Sequence, residues 1–214
     1  MDEPLTRVDN KKWTLIAVHL GSLFPLALFG WSALWGQLGF NPIETALRQS
    51  GRAAVIFLLL SLAVTPLRKI FNLHGLHRMR KPLGLYAALY AGLHFAAFAV
   101  WDYRLNVRLI WLELLQKPYL LLGLGSLSIL AALAVTSTRG WQRRLRGVWR
   151  WLQRAVYLGA VLALAHYLLA IKGDLLTLQG DYTWPLIAAG TLLLLFLLRM
   201  PIIQEWLQRI FELD

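Results

Sequence analysis

The stretch YAGLHFAAFAV, residues 90–100, places a histidine inside an otherwise apolar run, and LALAHYLLA, residues 162–170, does the same. The chain has 214 residues, of which 58% are hydrophobic and 15% are charged. A soluble domain carries about 25% charged and about 45–50% apolar residues. The composition therefore indicates a membrane protein, and both histidine-containing stretches are predicted to belong to membrane-spanning helices.

Six apolar segments approach or reach the about 20 residues that a helix needs to cross a bilayer. They are residues 13–35, 53–67, 82–101, 118–135, 151–171 and 184–200. Lipid excludes open strand edges, so each segment is predicted to be a helix. We therefore predict an all-α integral membrane protein, with a six-helix bundle over residues 13–200 between short terminal segments, residues 1–12 and 201–214.

The Lys and Arg residues are divided unevenly between the gaps. Residues 1–12, 68–81, 138–150 and 199–214 hold 15 of them, whereas residues 36–49, 102–117 and 172–183 hold five. The positive-inside rule then predicts that both termini are cytoplasmic. The net charge of +11 is therefore attributed to topology and to contact with anionic membrane lipid, and not to nucleic acid.

His94 and His166 are predicted to lie at nearly equal depth on helices that run in the same direction. They precede the outer ends of their segments by seven and five residues, which places them roughly 10 Å and 8 Å below the outer surface. Two facing imidazoles are the axial donors of a b-type haem. A proton relay or a polar contact between helices would use the same residues. Because the chain has no cysteine, thiolate metal sites and covalently attached haem are excluded.

Several longer motifs, in order along the chain, resemble those of a known family. They are HLGSLFPL at 19–26, SGRAAVIFLL at 50–59, TPLR at 65–68, RKPLGLYAALYAGLHF at 80–95, KPYLLLG at 117–123, TSTRGWQRRL at 136–145 and VYLGAVLALAHYLLAIK at 156–172. The sequence is similar to the MsrQ (YedZ) family, the haem-binding membrane subunit of the MsrPQ methionine sulfoxide reductase system. That family belongs to the ferric-reductase-like transmembrane superfamily.

The resemblance implies a multi-pass protein of the bacterial inner membrane that binds haem b and FMN. Such a subunit takes electrons from the quinone pool or from a cytoplasmic flavin reductase. It passes them to MsrP, the periplasmic molybdopterin enzyme that repairs oxidised proteins, and is not itself the catalytic subunit. The family's haem ligands correspond to His94 and His166.

The chain departs from its relatives at the inner side of the bundle. Relatives can carry a further histidine near the inner end of the fifth segment, where this sequence has Gln153, and Arg80 occupies the inner position on the third. Neither side chain is a good iron ligand. The sequence therefore predicts one haem, and a second only if His19, His74 or His77 supplies a ligand.

Two more residues are candidates for cofactor contact. Arg52, at the predicted outer start of the second helix, could pair with haem propionates or extend to the outer headgroups. His19 could contact a propionate, a flavin or a quinone, or form a polar contact between helices. Five acids are predicted to lie in outward loops as a solvated rim that could meet a partner: Glu44, Asp102, Glu113, Asp174 and Asp181.

Two other functions fit the same pattern of helices and histidines. One is a metal (ferric) reductase-type transmembrane cytochrome b. The other is a proton-coupled transporter in which His94 and His166 relay protons. A haem absorption spectrum would distinguish the transporter from the two cytochromes.

Overall fold

The computed structural model describes residues 3–171 and 180–211, and no strand occurs in these ranges. The helices are α1 (Glu3–Leu34), α2 (Pro42–Ile70), α3 (His77–Ala96), α4 (Val107–Gln116), α5 (Pro118–Val135), α6 (Arg139–Arg154), α7 (Val156–Leu169), α8 (Thr183–Leu197) and α9 (Pro201–Phe211). A short 3₁₀ turn, His74–Leu76, precedes α3, and a π-helical segment, Ala97–Asp102, continues it.

Five helical stretches are long and apolar enough to cross a membrane: Lys12–Leu34, Pro42–Ile70, His77–Asp102, Pro118–Val135 and Arg139–Leu169. A sixth span results if α8 is counted together with the first part of α9, from which it is bent by 84°. Large apolar side chains such as Leu20, Phe24 and Leu193 are exposed, as expected where lipid and not water covers the surface. The prediction of an all-α membrane bundle is confirmed.

The second helix is longer than its apolar segment predicted. It begins at Pro42, eleven residues before position 53, and Asn41 caps it by accepting a hydrogen bond from the backbone N–H of Glu44. The first turns of α2 carry polar side chains, so hydropathy hides them, although an Asn followed by Pro is a helix-start signal. Arg52 therefore lies ten residues inside α2, and the prediction that it marks the start of that helix was wrong.

Three segments between or after the predicted spans are helices. In the gap between the third and fourth predicted spans, α4 has only 10 residues, too few to cross a bilayer. The basic segment before α7 forms α6, in which Arg144 and Arg154 lie over the rings of Trp141 and Trp151. A kink at Arg146 (φ 46°) divides α6 into two helical pieces, each with one of these arginine–tryptophan pairs, a combination typical of the membrane interface. The third is α9, which covers much of the predicted C-terminal segment.

The core lies where α2 packs on α3 and α5 packs on α7. Its most buried members include two alanines, Ala87 at 0% exposed and Ala160 at 1%, together with Leu62 at 1%. Small residues let membrane helices approach closely, which compensates for the weak hydrophobic drive inside lipid. This packing brings the C-terminal parts of α3 and α7 together, and each carries one of the two predicted ligand histidines.

Candidate functional site

His94 and His166 face each other between α3 and α7. The centroids of their rings are 6.1 Å apart, and the ring planes are inclined by 78°. Both residues lie within three positions of the C-terminal ends of their helices, so these helices end on the same side of the bundle. The structure thus brings together the two imidazoles that the sequence placed at equal depth.

Each imidazole is held at Nδ1 by a backbone carbonyl. His94 Nδ1 lies 2.9 Å from the carbonyl oxygen of Leu47, and His166 Nδ1 lies 2.9 Å from that of Tyr119. A carbonyl oxygen only accepts, so Nδ1 of each ring carries the proton. Each Nε2 then keeps its lone pair, which is the form of histidine that binds a metal.

A glycine lies against each ring. A Cβ atom at Gly51 would lie 3.1 Å from His94 Nδ1, and a Cβ at Gly123 would lie 2.8 Å from His166 Nδ1. Contacts under 3.0 Å require one of the atoms to move, so the site on α5 tolerates nothing larger than glycine without a shift of the ring. Each glycine is one helical turn after the carbonyl that holds the same ring, and both groups therefore come from one stretch of helix.

The two halves of this arrangement repeat along the chain. In each half, 47 residues separate the carbonyl from the histidine. A shift of 72 residues relates Gly51 to Gly123 and His94 to His166. The hairpin of α2 and α3 thus supplies one half, and α5 with α7 supplies the other.

The donor set suits a haem better than a bare metal ion. Among the described residues, no group of three or more His, Cys, Asp or Glu side chains converges to hold a metal ion. A porphyrin supplies four nitrogens itself and needs only two axial donors. With metal–nitrogen bonds of about 2 Å, the centroids of two imidazoles on opposite sides of one metal are about 6 Å apart. The observed 6.1 Å fits this arrangement.

Arg52 lies beside the histidine pair. Its Nε donates to the Tyr167 hydroxyl at 3.3 Å, and its Nη2 is 3.5 Å from Oδ2 of Asp181. The guanidinium also lies over the Trp184 ring, 5.5 Å from its centroid. Because Arg52 follows Gly51 and Tyr167 follows His166, this cationic group is next to both halves of the site.

His19 lies away from the histidine pair and contacts Tyr86 of α3. Its Nδ1 is 2.9 Å from the Tyr86 hydroxyl, so the structure contains the polar contact between helices that was one of the two alternatives. Tyr86 begins a series of neighbouring rings. Phe57 is 6.0 Å from Tyr86 and 5.4 Å from Tyr90 between centroids, and Tyr90 precedes His94 by one helical turn.

The other predicted residues lie at the basic end of the bundle, which we define as the end where α2, α5 and α8 finish. Gln153 donates weakly to the carbonyl of Leu133 at 3.5 Å, and the Arg80 carbonyl accepts from Ser61. Among the described side chains, no contact joins Arg80 to Gln153, so the structure does not bring these two together. His77 is the first residue of α3.

The predicted acidic rim is largely paired and partly helical. Glu44 lies in the first turn of α2 and pairs with Arg48 at 3.0 Å. Glu113 lies in α4 and pairs with Lys117 at 2.6 Å, and this hydrogen bond lowers the pKa of the Glu113 carboxyl. The prediction that both acids lie in loops was wrong. The gap that contains Asp174 lies outside the described residues over positions 172–179, as do the first two and last three residues of the chain.

Comparison with known proteins agrees with the motifs. A family profile described as "Ferric reductase like transmembrane component" matches residues 50–164, more than half of the chain. A protein of Rhodospirillum rubrum named "Protein-methionine-sulfoxide reductase heme-binding subunit MsrQ" is 40% identical over 193 residues, which is 90% of this chain and 89% of its own length. The chain belongs to the MsrQ family.

Two further MsrQ proteins support this assignment. The protein of Caulobacter vibrioides is 39% identical over 158 residues, covering 73% of this chain and 75% of its own. The protein of Herminiimonas arsenicoxydans is 35% identical over 184 residues, covering 86% and 82%. Together with the membrane-spanning helices, the family places this chain among multi-pass membrane proteins.

Proposed function

We propose that this chain is the haem-binding membrane subunit of a methionine sulfoxide reductase system, and that His94 and His166 are the axial ligands of one b-type haem. The observation that carries the proposal is the facing pair of imidazoles, 6.1 Å apart between centroids, each held at Nδ1 so that Nε2 is free to bind iron. The printed names of the relatives, which call them heme-binding subunits, support it.

The protein's own part in this function is to fix the ligands and their surroundings. A bound haem supplies one-electron transfer. The carbonyls of Leu47 and Tyr119 orient the two rings and increase the basicity of Nε2. Gly51 and Gly123 keep the space beside each ring open. With Gln153 and Arg80 in place of imidazoles at the basic end, we propose one haem per chain.

We propose Arg52 as the partner of a haem propionate. It follows Gly51, which lies against His94, and it donates to Tyr167, which follows His166. Guanidinium groups bind carboxylates through paired hydrogen bonds. Its contact with Asp181, at 3.5 Å and with Asp181 half exposed, is long enough to be exchanged for a stronger partner. Extension to the outer headgroups is the alternative, and the next experiment separates the two.

Arg52→Gln is expected to lower the haem reduction potential by some tens of millivolts, since a positive charge nearby favours the reduced, less positive centre. The shift corresponds to on the order of 1 kcal/mol at an effective dielectric constant of about 20. Redox potentiometry of the purified protein measures it. Arg48→Gln is the matched control, because Arg48 is one turn away on α2 and pairs with Glu44. Equal shifts in both variants would contradict a specific role for Arg52.

We propose that electrons reach the site from a membrane quinol or a cytoplasmic flavin reductase, with FMN as a further cofactor. The His19 and Tyr86 pair supports the quinol route, because His19 is exposed on α1 where lipid covers the helix. Its hydrogen-bonded groups could bind a quinol hydroxyl. The rings of Phe57 and Tyr90 connect this pair to the helical turn before His94.

We propose that electrons leave to MsrP, a periplasmic molybdopterin subunit, in the bacterial inner membrane with both termini in the cytoplasm. The distribution of Lys and Arg supports this orientation. In this orientation the histidine pair would lie near the periplasmic face. Reduction of methionine sulfoxide consumes two electrons and two protons and yields methionine and water. Glu44 and Glu113 are each paired with a cation four residues later in the chain, so we expect these two acids to contribute little to docking.

The test is a spectrum followed by a transfer assay. The purified chain in lipid nanodiscs is expected to show a reduced-minus-oxidised Soret and α-band, with about one haem per chain by pyridine haemochrome. After reduction, addition of the MsrP subunit with methionine sulfoxide should reoxidise it, and MsrP without the sulfoxide is the control. A colourless protein would favour the transporter, and reoxidation by ferric citrate alone would favour the ferric reductase.

A further inference from the structure

A second polar site lies at the basic end of the bundle, at the turn from α8 into α9. A cleft of about 530 Å³ opens there between α2, α7 and α9. It is lined by Thr65, Lys69, Tyr157, Phe196, Arg199 and Gln204. The sharp bend between α8 and α9 brings Gln204 over the cleft. Its volume falls in the range of about 300–1,000 Å³ that small-molecule sites occupy.

Arg199 is the central group of this cleft. It donates to the Tyr157 hydroxyl and to the backbone carbonyl of Leu62, and its guanidinium lies over the Tyr157 ring, 4.9 Å from the centroid. Its Nε is buried and has no hydrogen-bond partner. Both of its acceptors are neutral. A guanidinium has five N–H donors, so donors remain for a ligand.

The neighbouring charges have the same sign as Arg199. Arg80 is close enough for its charge to act on Arg199, and Lys69 lines the cleft with Nζ 3.0 Å from Oε1 of Gln204. Among the described residues, no carboxylate pairs with Arg199 or Arg80. Cations that are partly removed from water repel each other and are costly without an anion between them. This group of cations, Arg199, Arg80 and Lys69, therefore lacks a compensating anion.

We propose that this cleft binds a phosphate group, held by Arg199 with Lys69 and Thr65. A phosphate carries up to two negative charges and three acceptor oxygens, which matches several cations and a hydroxyl better than a carboxylate does. Phe196 and Tyr157 supply an aromatic wall for the rest of the molecule. The phosphate could belong to an anionic phospholipid of the adjacent leaflet or to a soluble phosphorylated cofactor. The cleft is separate from the histidine pair, so the proposal does not depend on the haem.

Two pairs of probes that differ by the phosphate test the proposal on the full-length protein in lipid-depleted neutral detergent. FMN and riboflavin are titrated by flavin fluorescence, and phosphatidylglycerol and diacylglycerol are compared by native mass spectrometry. At least one phosphate-bearing probe is expected to bind about tenfold or more tightly than its partner. Preference for FMN alone indicates a soluble ligand, and preference for phosphatidylglycerol alone indicates lipid. No preference within either pair would overturn the proposal.

Variants of the cleft residues test whether the phosphate-bearing probe binds in this cleft. Arg199→Gln is expected to remove the preference, and Lys69→Gln to reduce it, whereas Arg150→Gln, an exposed arginine of α6, should leave it unchanged. Should Arg199→Gln fail to fold, Lys69→Gln still decides the outcome. Unchanged binding in the folded cleft variants would refute the site. The haem spectrum of each sample is recorded alongside, so loss of phosphate binding with an intact spectrum separates this site from the proposed haem function.

Discussion

His94→Ala and His166→Ala are each expected to remove the low-spin haem spectrum, with haem content falling to below about a tenth of the wild type. Loss of a group that merely orients a ligand costs 10–100-fold in metal affinity, so loss of the ligand itself should cost at least as much. The two variants should behave alike, because each ring is held by one carbonyl at the same 2.9 Å distance. Pyridine haemochrome and the reduced-minus-oxidised spectrum measure the loss.

The control for these variants is His19→Ala, which removes an imidazole that contacts Tyr86 and not the pair. It should keep the spectrum. Added imidazole should restore low-spin haem in both ligand variants by filling the space that the side chain left, which a general folding defect would not allow. A normal spectrum in either His94→Ala or His166→Ala without added imidazole would refute the proposed ligation.

Gly123→Ala is expected to disturb the site almost as strongly, and more than Gly51→Ala. The added Cβ would lie 2.8 Å from His166 Nδ1, against 3.1 Å from His94 Nδ1 for the other glycine. At Gly123 the imidazole must move, which breaks its bond to the Tyr119 carbonyl and turns Nε2 away. At Gly51 a shift of a few tenths of an ångström suffices. Haem retention and the midpoint potential are the measurements, and haem affinity should fall by about 10–100-fold for Gly123→Ala.

Gly92→Ala and Gly21→Ala are the matched controls. Both glycines are in helices, and a Cβ at either would meet nothing within 4 Å. Alanine is the better helix former by about 1 kcal/mol, so the controls should leave the protein as stable or more stable, with an unchanged spectrum. Weakening of haem binding by Gly92→Ala as strong as that by Gly123→Ala would show that helix substitutions in general, and not contact with the ring, disturb the site.

The sequence predicted the membrane bundle because a long apolar segment without strand alternation crosses a bilayer as a helix. It placed His94 and His166 at equal depth by counting helical rise, and the structure brings them together. It missed α4 because a helix of 10 residues is too short to be recognised as a membrane span. It missed α6 because an arginine-rich segment resembles a loop in a hydropathy profile. The early start of α2 was missed because its first turns carry polar side chains, although Asn41 followed by Pro42 is a helix-start signal.

The groups that hold the histidines were not predicted, because two are backbone carbonyls and two are glycines. Every residue has a backbone carbonyl, so the residue type does not reveal which carbonyl accepts a hydrogen bond from a histidine. A signal was nevertheless present in the sequence. LAVTPLR at 62–68 and LAVTSTR at 133–139 repeat at nearly the spacing that separates the two histidines. These copies are offset by 71 residues, one fewer than the 72 that relate the two histidines, so aligning them places Gly51 one residue from Gly123.

The role of Arg199 was also missed, for a different reason. In the sequence it lies at the end of the last apolar segment, residues 184–200, where a basic residue usually marks only the membrane boundary. Its burial follows from the bend between α8 and α9, which turns the chain back over the end of α2. Such a bend depends on packing between distant segments, and no local pattern specifies it.

The equal 47-residue spacing within each half of the site is what duplication and fusion of one helical pair would produce. A single such pair carries a carbonyl, a glycine and an imidazole, which is half of the proposed haem site. Two identical copies that associated as a homodimer would already have placed two imidazoles opposite each other, as the proposed haem requires. Joining them in one chain would then have freed each half to change separately, so that α6, between α5 and α7, could acquire its arginines without altering the shared centre.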